Sequence, residues 1–150
     1  IYEIGGNAKM NEFQAAMGLL NLKYFDQNIE KRALVAGRYR RNLSGIDGIS
    51  FRPIPEGVRQ NHAYLPVTFD PAIFGATRDA VNDTLKTYGI FARKYFYPLT
   101  SESACYRGRF FPEETPVALR ASRNVLTLPI YPDLALSDVD NICEIVASCK

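Results

Sequence analysis

The run NEFQAAMGLLNLKYFDQNIEKRALVAGRYRRNL, residues 11 to 43, constrains this chain more than any other stretch. Asn11 followed three residues later by Gln14 is the spacing at which two side chains cap a helix start reciprocally. Phe13, Ala16, Met17, Leu20 and Tyr24 then recur at helical intervals. Ile29, Leu34, Tyr39 and Leu43 continue the pattern among the charges Glu30, Lys31, Arg32, Arg38 and Arg40. The spacing predicts a long amphipathic helical arm over residues 1–44, bent near residues 24–26 and stopped by Gly45 and Gly48. Its basic face reads as solvated surface.

The remainder, residues 45–150, alternates short strand and helix signals. ISFRPIP (49–55) reads as a strand stopped by prolines, and HAYLPVTF (62–69) as a second. Thr77 caps RDAVNDTLKTY, where Val81, Leu85 and Tyr88 share one face and Gly89 supplies the stop. GIFARKYF (89–96) is expected to form a third strand. Pro116, at a position where its missing N–H is harmless, opens a short helix after Thr115. NVLTLPIYP (124–132) is a last extended segment, and Ser137 with Asp140 is expected to cap a final helix striped by Val139, Ile142, Cys143, Val146 and Cys149. The order predicts an α+β fold: a helical arm, then a small, mainly antiparallel sheet with helices packed on one face. The turn-rich loops near 45–48 and 54–60 are the candidate boundaries.

At 150 residues, 47% hydrophobic and 23% charged, the chain is one ordinary domain's worth of sequence. The net charge of +2 has no polybasic arm behind it, which argues against nucleic acid. Three cysteines, none in a C-x-x-C, fit a reducing compartment without a zinc site, and no apolar run is long enough to span a membrane. A cytoplasmic protein with no membrane or metal partner is therefore expected.

Two clusters carry chemistry. In IGGNAK (4–9), paired glycines let backbone approach a ligand, and Asn7 and Lys9 together suit an anion. Neither familiar glycine-rich phosphate fingerprint occurs, and a plain loop and cap explains the same residues. In FARKYFYPLT (91–100), Arg93, Lys94, Tyr95 and Tyr97 mix cations with aromatic hydroxyls, as a site for phosphates and stacked rings does. A strand alternating core aromatics with solvated cations remains the other reading. His62 is the only histidine, and no motif pairs it with a nucleophile.

Taken together, IGGNAKMNEFQAAMGLLNL resembles the G-x-N-x-[KR]-M-[NST]-E-x-[QA]-A-A-x-G-L-x-x-L stretch of the sugar aminotransferases of the DegT/StrS type. GIFARKYFYPL resembles their gI-x-x-R-x-Y-x-x-P-L segment, and VLTLPIYPDLALSDVDNICEIV their closing segment. The resemblance implies the small, carboxy-terminal domain of a fold type I pyridoxal-phosphate enzyme, whose large domain carries the Schiff-base lysine. None of the six lysines falls where that lysine would, so no catalytic residue is assigned.

By the same resemblance, Asn7 reaches the cofactor phosphate across a homodimer interface, with Lys9 beside it. Arg93, Lys94, Tyr95 and Tyr97 face a nucleotide-sugar substrate, with L-glutamate as amino donor. Thr100 stands where many members have a second histidine, and an extra residue separates tyrosine from proline. That departure points to dTDP-linked keto-6-deoxysugars. Loss of a covering partner is expected to leave apolar surface on the first helix. A lysine-less dehydratase-type member, or an interaction module using the basic helix around 38–41, stays open on the residues alone.

Overall fold

The computed structural model describes residues 9–106 and 108–150. The elements are α1 (Glu12–Lys23), α2 (Phe25–Leu43), β1 (Ile49–Phe51), β2 (Leu65–Phe69), α3 (Pro71–Phe74), α4 (Arg78–Thr87), α5 (Pro116–Asn124), β3 (Val125–Leu128) and α6 (Leu136–Ala147). The capping pair forms as expected: Asn11 Oδ1 accepts from the Gln14 amide at 2.9 Å, and Gln14 Oε1 accepts from the Asn11 amide at 3.0 Å. The arm bends at Tyr24, which sits between α1 and α2 with φ −104° and ψ 5°.

The two halves of the arm differ. α1 buries no residue, and Phe13, Met17, Leu19, Leu20 and Leu22 are all exposed. A helix apolar on every side belongs under another surface, so the expected bare apolar face is present. α2 turns Val35, Tyr39 and Leu43 into the core at intervals of four. Leu34, assigned to that stripe from the sequence, is 68% exposed. Leu34 is five positions before Tyr39, off the face that Val35 and Ala36 share with Tyr39 at spacings of four and three.

The sheet is antiparallel with order β1-β2-β3, registered by Ile49↔Phe69 on one side of β2 and Leu65↔Leu128 on the other. Leu65, Val67 and Phe69 point into one core shared with α2, α3, α4, β3 and α6, which bears out the α+β expectation. Pro66 is tolerated mid-strand because Thr127, opposite it, directs both backbone groups to Arg93.

The expected strand at 89–96 does not form. Only Arg93 pairs, through Arg93 N–H to Thr127 O at 3.0 Å and Thr127 N–H to Arg93 O at 2.8 Å. The ladder stops because Phe96 adopts φ 51° and Pro98 has no N–H to give. The expected Ser137–Asp140 cap is also absent. α6 starts at Leu136, after Ala135, so Ser137 lies inside its first turn and does not act as the N-cap, and Asp140 is held elsewhere. Arg38 grips it with both arms, Nε to Oδ1 and Nη2 to Oδ2 at 2.6 Å each, and Asn42 Nδ2 donates to Oδ1 at 2.7 Å. The α2 cations, read as solvated, are thus partly structural: Lys31 meets Asp133 at 2.9 Å, and Arg32 donates to the Asn61 carbonyl. No helix among the described residues is long and apolar enough to cross a membrane.

Two tests follow from this packing. Gly48 has φ +85°, and a Cβ there would press on the Phe74 backbone nitrogen and lie 2.6 Å from Phe74 Cβ. Gly48→Ala should lower the unfolding free energy read from urea titration by more than the roughly 1–2 kcal/mol of a left-handed alanine. Gly45→Ala, with nothing within 4 Å, should change stability by under about 1 kcal/mol.

The Arg38 and Asn42 hydrogen bonds pull the Asp140 carboxyl down from 3.8 to about 2. Its folded value lies below its unfolded value, so the stabilisation is full above pH about 4 and is lost as pH falls towards 2. Acid unfolding followed by circular dichroism should show that limb flattened in Asp140→Asn, and an unchanged limb would contradict the assignment.

Candidate functional site

The two hydrogen bonds that fix Arg93 to Thr127 also fix where the 91–97 loop leaves the sheet. Thr127 is buried in β3, so the Arg93 backbone is anchored to the core while its side chain stays exposed. Arg93 opens onto a cleft of about 260 Å³ walled by Tyr64, Phe91, Pro129, Ile130 and Tyr131. No hydrogen bond or ion pair engages the Arg93 side chain among the described residues. A guanidinium held at its base and free at its tip, against aromatic walls, is equipped to meet an anionic or polyhydroxyl ligand.

The next residues turn the other way. Lys94 Nζ lies 2.7 Å from Asp79 Oδ1, at the start of α4, and 5.6 Å above the Tyr97 ring. Arg78, only 1% exposed, brings Nε to the same Asp79 oxygen at 2.7 Å and donates Nη1 to the Val125 carbonyl at 2.9 Å. Its guanidinium carbon stands 4.8 Å from the Tyr97 centroid. The Lys94 ammonium first, and Arg78 after it, hold the Asp79 carboxyl below its ordinary range. The two cations reach Asp79 as charges rather than through well-aligned hydrogen bonds, since Arg78 Nε and Asp79 Oδ1 make none. The result is a rigid plug of two cations, one carboxylate and one ring that ties the loop to α4 and β3.

Tyr95 takes a third direction, its ring 4.6 Å from Tyr64 and 4.4 Å from Phe96. The four candidates from the sequence are therefore not one patch. Arg93 is presented to a cleft, Tyr95 buttresses its Tyr64 wall, and Lys94 and Tyr97 are engaged by Arg78 and Asp79. Sequence reading missed Arg78, Asp79, Tyr64, Thr127 and Tyr131. The only advance signal was the Arg-Asp pair just after the Thr77 cap, which by itself reads as the first turn of a helix.

Of the cofactor candidates, Asn7 lies outside the described residues. Lys9 is exposed just ahead of α1 and lines none of the clefts described here. The α1 amide nearest to it in function, that of Gln14, is already taken by Asn11. A pyridoxal phosphate would need a lysine facing a closed space. Lys31, Lys86 and Lys94 are in ion pairs, Lys23 lies 5.4 Å over Tyr24, and none of them lines a described cleft. The described residues do not by themselves fit that group. Nor does any cluster of three or more His, Cys, Asp or Glu among them suit a metal ion.

Residues 2–147 match the model of the DegT/DnrJ/EryC1/StrS aminotransferase family. The chain is 39% identical over 87% of its length to a dTDP-4-amino-4,6-dideoxy-D-glucose transaminase of Escherichia coli, of which it covers 35%. It is 33% identical over 98% of its length to the enzyme of the same name from Shigella dysenteriae, of which it covers 40%. Among solved structures, DesI in the presence of its TDP-sugar product superposes with a TM-score of 0.87 at 32% identity. That match spans 97% of this chain and 37% of DesI. The chain thus spans well under half the length of the relatives it matches.

Proposed function

The chain belongs to the DegT/DnrJ/EryC1/StrS aminotransferase family, and from that premise we propose that it is the carboxy-terminal, substrate-facing part of a nucleotide-sugar aminotransferase. In this reading residues 1–44 form an arm that meets a larger domain and a second subunit, and residues 45–150 form the small domain. The whole protein, a cytoplasmic homodimer, moves an amino group from L-glutamate to a dTDP-linked keto-6-deoxysugar. Pyridoxal phosphate supplies the carbanion stabilisation, and the residues that fasten it belong mostly to the remainder of the protein. Asn7 and Lys9 are assigned to the cofactor phosphate of the neighbouring subunit.

Within this chain the reading rests on one observation: the Arg93 backbone is fixed to buried Thr127 while its guanidinium stands free beside Tyr64 and Tyr131. A side chain so placed orients a substrate without taking part in bond breaking. Lys94, Tyr95 and Tyr97 then act mainly by fixing the loop that carries Arg93. The names of the Escherichia coli and Shigella relatives support a dTDP-sugar substrate for the whole protein.

Arg93→Gln in the full-length enzyme should raise KM for the nucleotide sugar about ten- to a hundredfold, the loss of one charge-assisted hydrogen bond of about 1.5–3 kcal/mol. KM for the amino donor and the thermal midpoint should stay unchanged. Steady-state kinetics with each substrate varied in turn decides it, and an unaltered sugar KM would rule out this role.

A further inference from the structure

Arg93 meets the sheet through a single residue pair, with Thr127, and among the described residues it alone in 91–98 gives its backbone N–H to another backbone group. One isolated bridge fixes register weakly, and a slip of one residue turns every side chain to the opposite face. Arg93 and Lys94 are adjacent cations, so such a slip would exchange one for the other at the cleft. We propose that Asp79 is the positioning residue that prevents this exchange: by holding Lys94 on the α4 side, it keeps Arg93 on the cleft side. This role for Asp79 rests on the assignment of Arg93 to the sugar substrate, and adds the group that selects which cation is presented.

Successive side chains of an extended segment point to opposite faces. Arg93 accordingly lines the cleft beside Tyr64 and Tyr131, while Lys94 reaches Asp79 Oδ1 at 2.7 Å. No residue intervenes between the two, so fixing the side of Lys94 fixes the side of Arg93. Tyr97 repeats the tie three residues later, its ring 5.6 Å from Lys94 Nζ and 4.8 Å from the Arg78 guanidinium carbon. The loop is therefore held to α4 on both sides of Phe96, whose φ of 51° ends the extended run.

Asp79 is itself immobilised. Arg78 is the first residue of α4, where the helix dipole disfavours a cation, and its side chain is buried, where an unpaired charge is costly. Both penalties are offset by the Val125 carbonyl at 2.9 Å, Asp79 Oδ1 at 2.7 Å and the Tyr97 ring. The Asp79 carboxylate cannot swing away without stranding that buried cation, so Oδ1 is a fixed point for Lys94. This oxygen is shielded from water, although the side chain as a whole is half exposed. By contrast, the Lys86–Asp83 pair lies open to solvent and ties α4 only to itself.

Two readouts in the full-length enzyme decide it. Asp79→Asn keeps the shape of the side chain and removes its charge. Lys94→Gln cuts the same tie and leaves the Arg78–Asp79 pair in place, so it stays informative if Asp79→Asn fails to fold. Each should speed deuterium uptake at the Arg93 amide about tenfold, with uptake in β2 unchanged. Each should also raise KM for the nucleotide sugar about three- to tenfold with kcat unaltered, and neither should raise it further in an Arg93→Gln background. Asp79→Glu, which retains the charge, should keep most of the affinity, and Lys86→Gln, which removes an equal charge from α4, should change nothing. Unchanged uptake at Arg93, an equal acceleration in β2, or a full additional rise in KM on top of Arg93→Gln would overturn the role of Asp79. If Arg93→Gln alone leaves the sugar KM unaltered, recognition by Arg93 falls, and deuterium uptake still decides whether Asp79 sets the register.

Discussion

The grip of α2 on α6 is the contact on which the remaining structure depends. Val35, Tyr39 and Leu43 present an apolar ridge to the core, into which α6 sets Val139, Ile142, Cys143 and Val146. Each fully buried aliphatic side chain contributes roughly 1.5–3 kcal/mol, so this ridge supplies most of the attraction. It does not fix how far one helix slides along the other, since apolar contact is not directional. The two-pronged Arg38–Asp140 contact, with Asn42 on the same carboxylate, sets that register. Once α6 is placed, the sheet has a floor to lie on, and β3 reaches the position from which Thr127 pins Arg93.

From there the architecture separates rigid from presented groups. Arg78, Asp79, Lys94 and Tyr97 lock the loop against α4 and β3, and they use up their charges on one another. Arg93 keeps its charge available beside Tyr64. The described surface therefore carries binding groups on fixed backbone, but no lysine lines its clefts. α1 tells the same story from the other end: its apolar residues on every side are suited to burial against a further surface. A domain that positions a ligand for chemistry supplied elsewhere accounts for both features.

Local signals in the sequence were reliable where one short-range interaction decided the outcome. The Asn11–Gln14 cap, the bend at Tyr24, the Thr77 cap and the Pro116 helix start each depend on residues a few positions apart. The failures came where a distant partner intervened. Ser137 and Asp140 look like a cap, yet the helix already begins at Leu136 and Asp140 is bonded to Arg38, far away in the chain. Residues 89–96 have strand composition, yet only Arg93 finds a ladder partner. The same limit applied to function: Arg93, Lys94, Tyr95 and Tyr97 read as one patch in sequence, and a left-handed Phe96 with the pull of Asp79 sends them in three directions. Arg78 stands in sequence only as part of a first helical turn, because its partners Val125 and Tyr97 are brought to it by long-range packing.

The central claim is that this chain contributes recognition and anchoring, and that the covalent attachment point for the cofactor lies in the rest of the protein. It is tested most directly by incubating the purified chain with pyridoxal phosphate, reducing with borohydride, and mapping adducts by peptide mass spectrometry. Scattered, substoichiometric labelling over Lys9, Lys23, Lys31, Lys86, Lys94 and Lys150 is the predicted result. A single stoichiometric adduct at one of them would mean that the chain builds a cofactor site of its own, and would contradict the account.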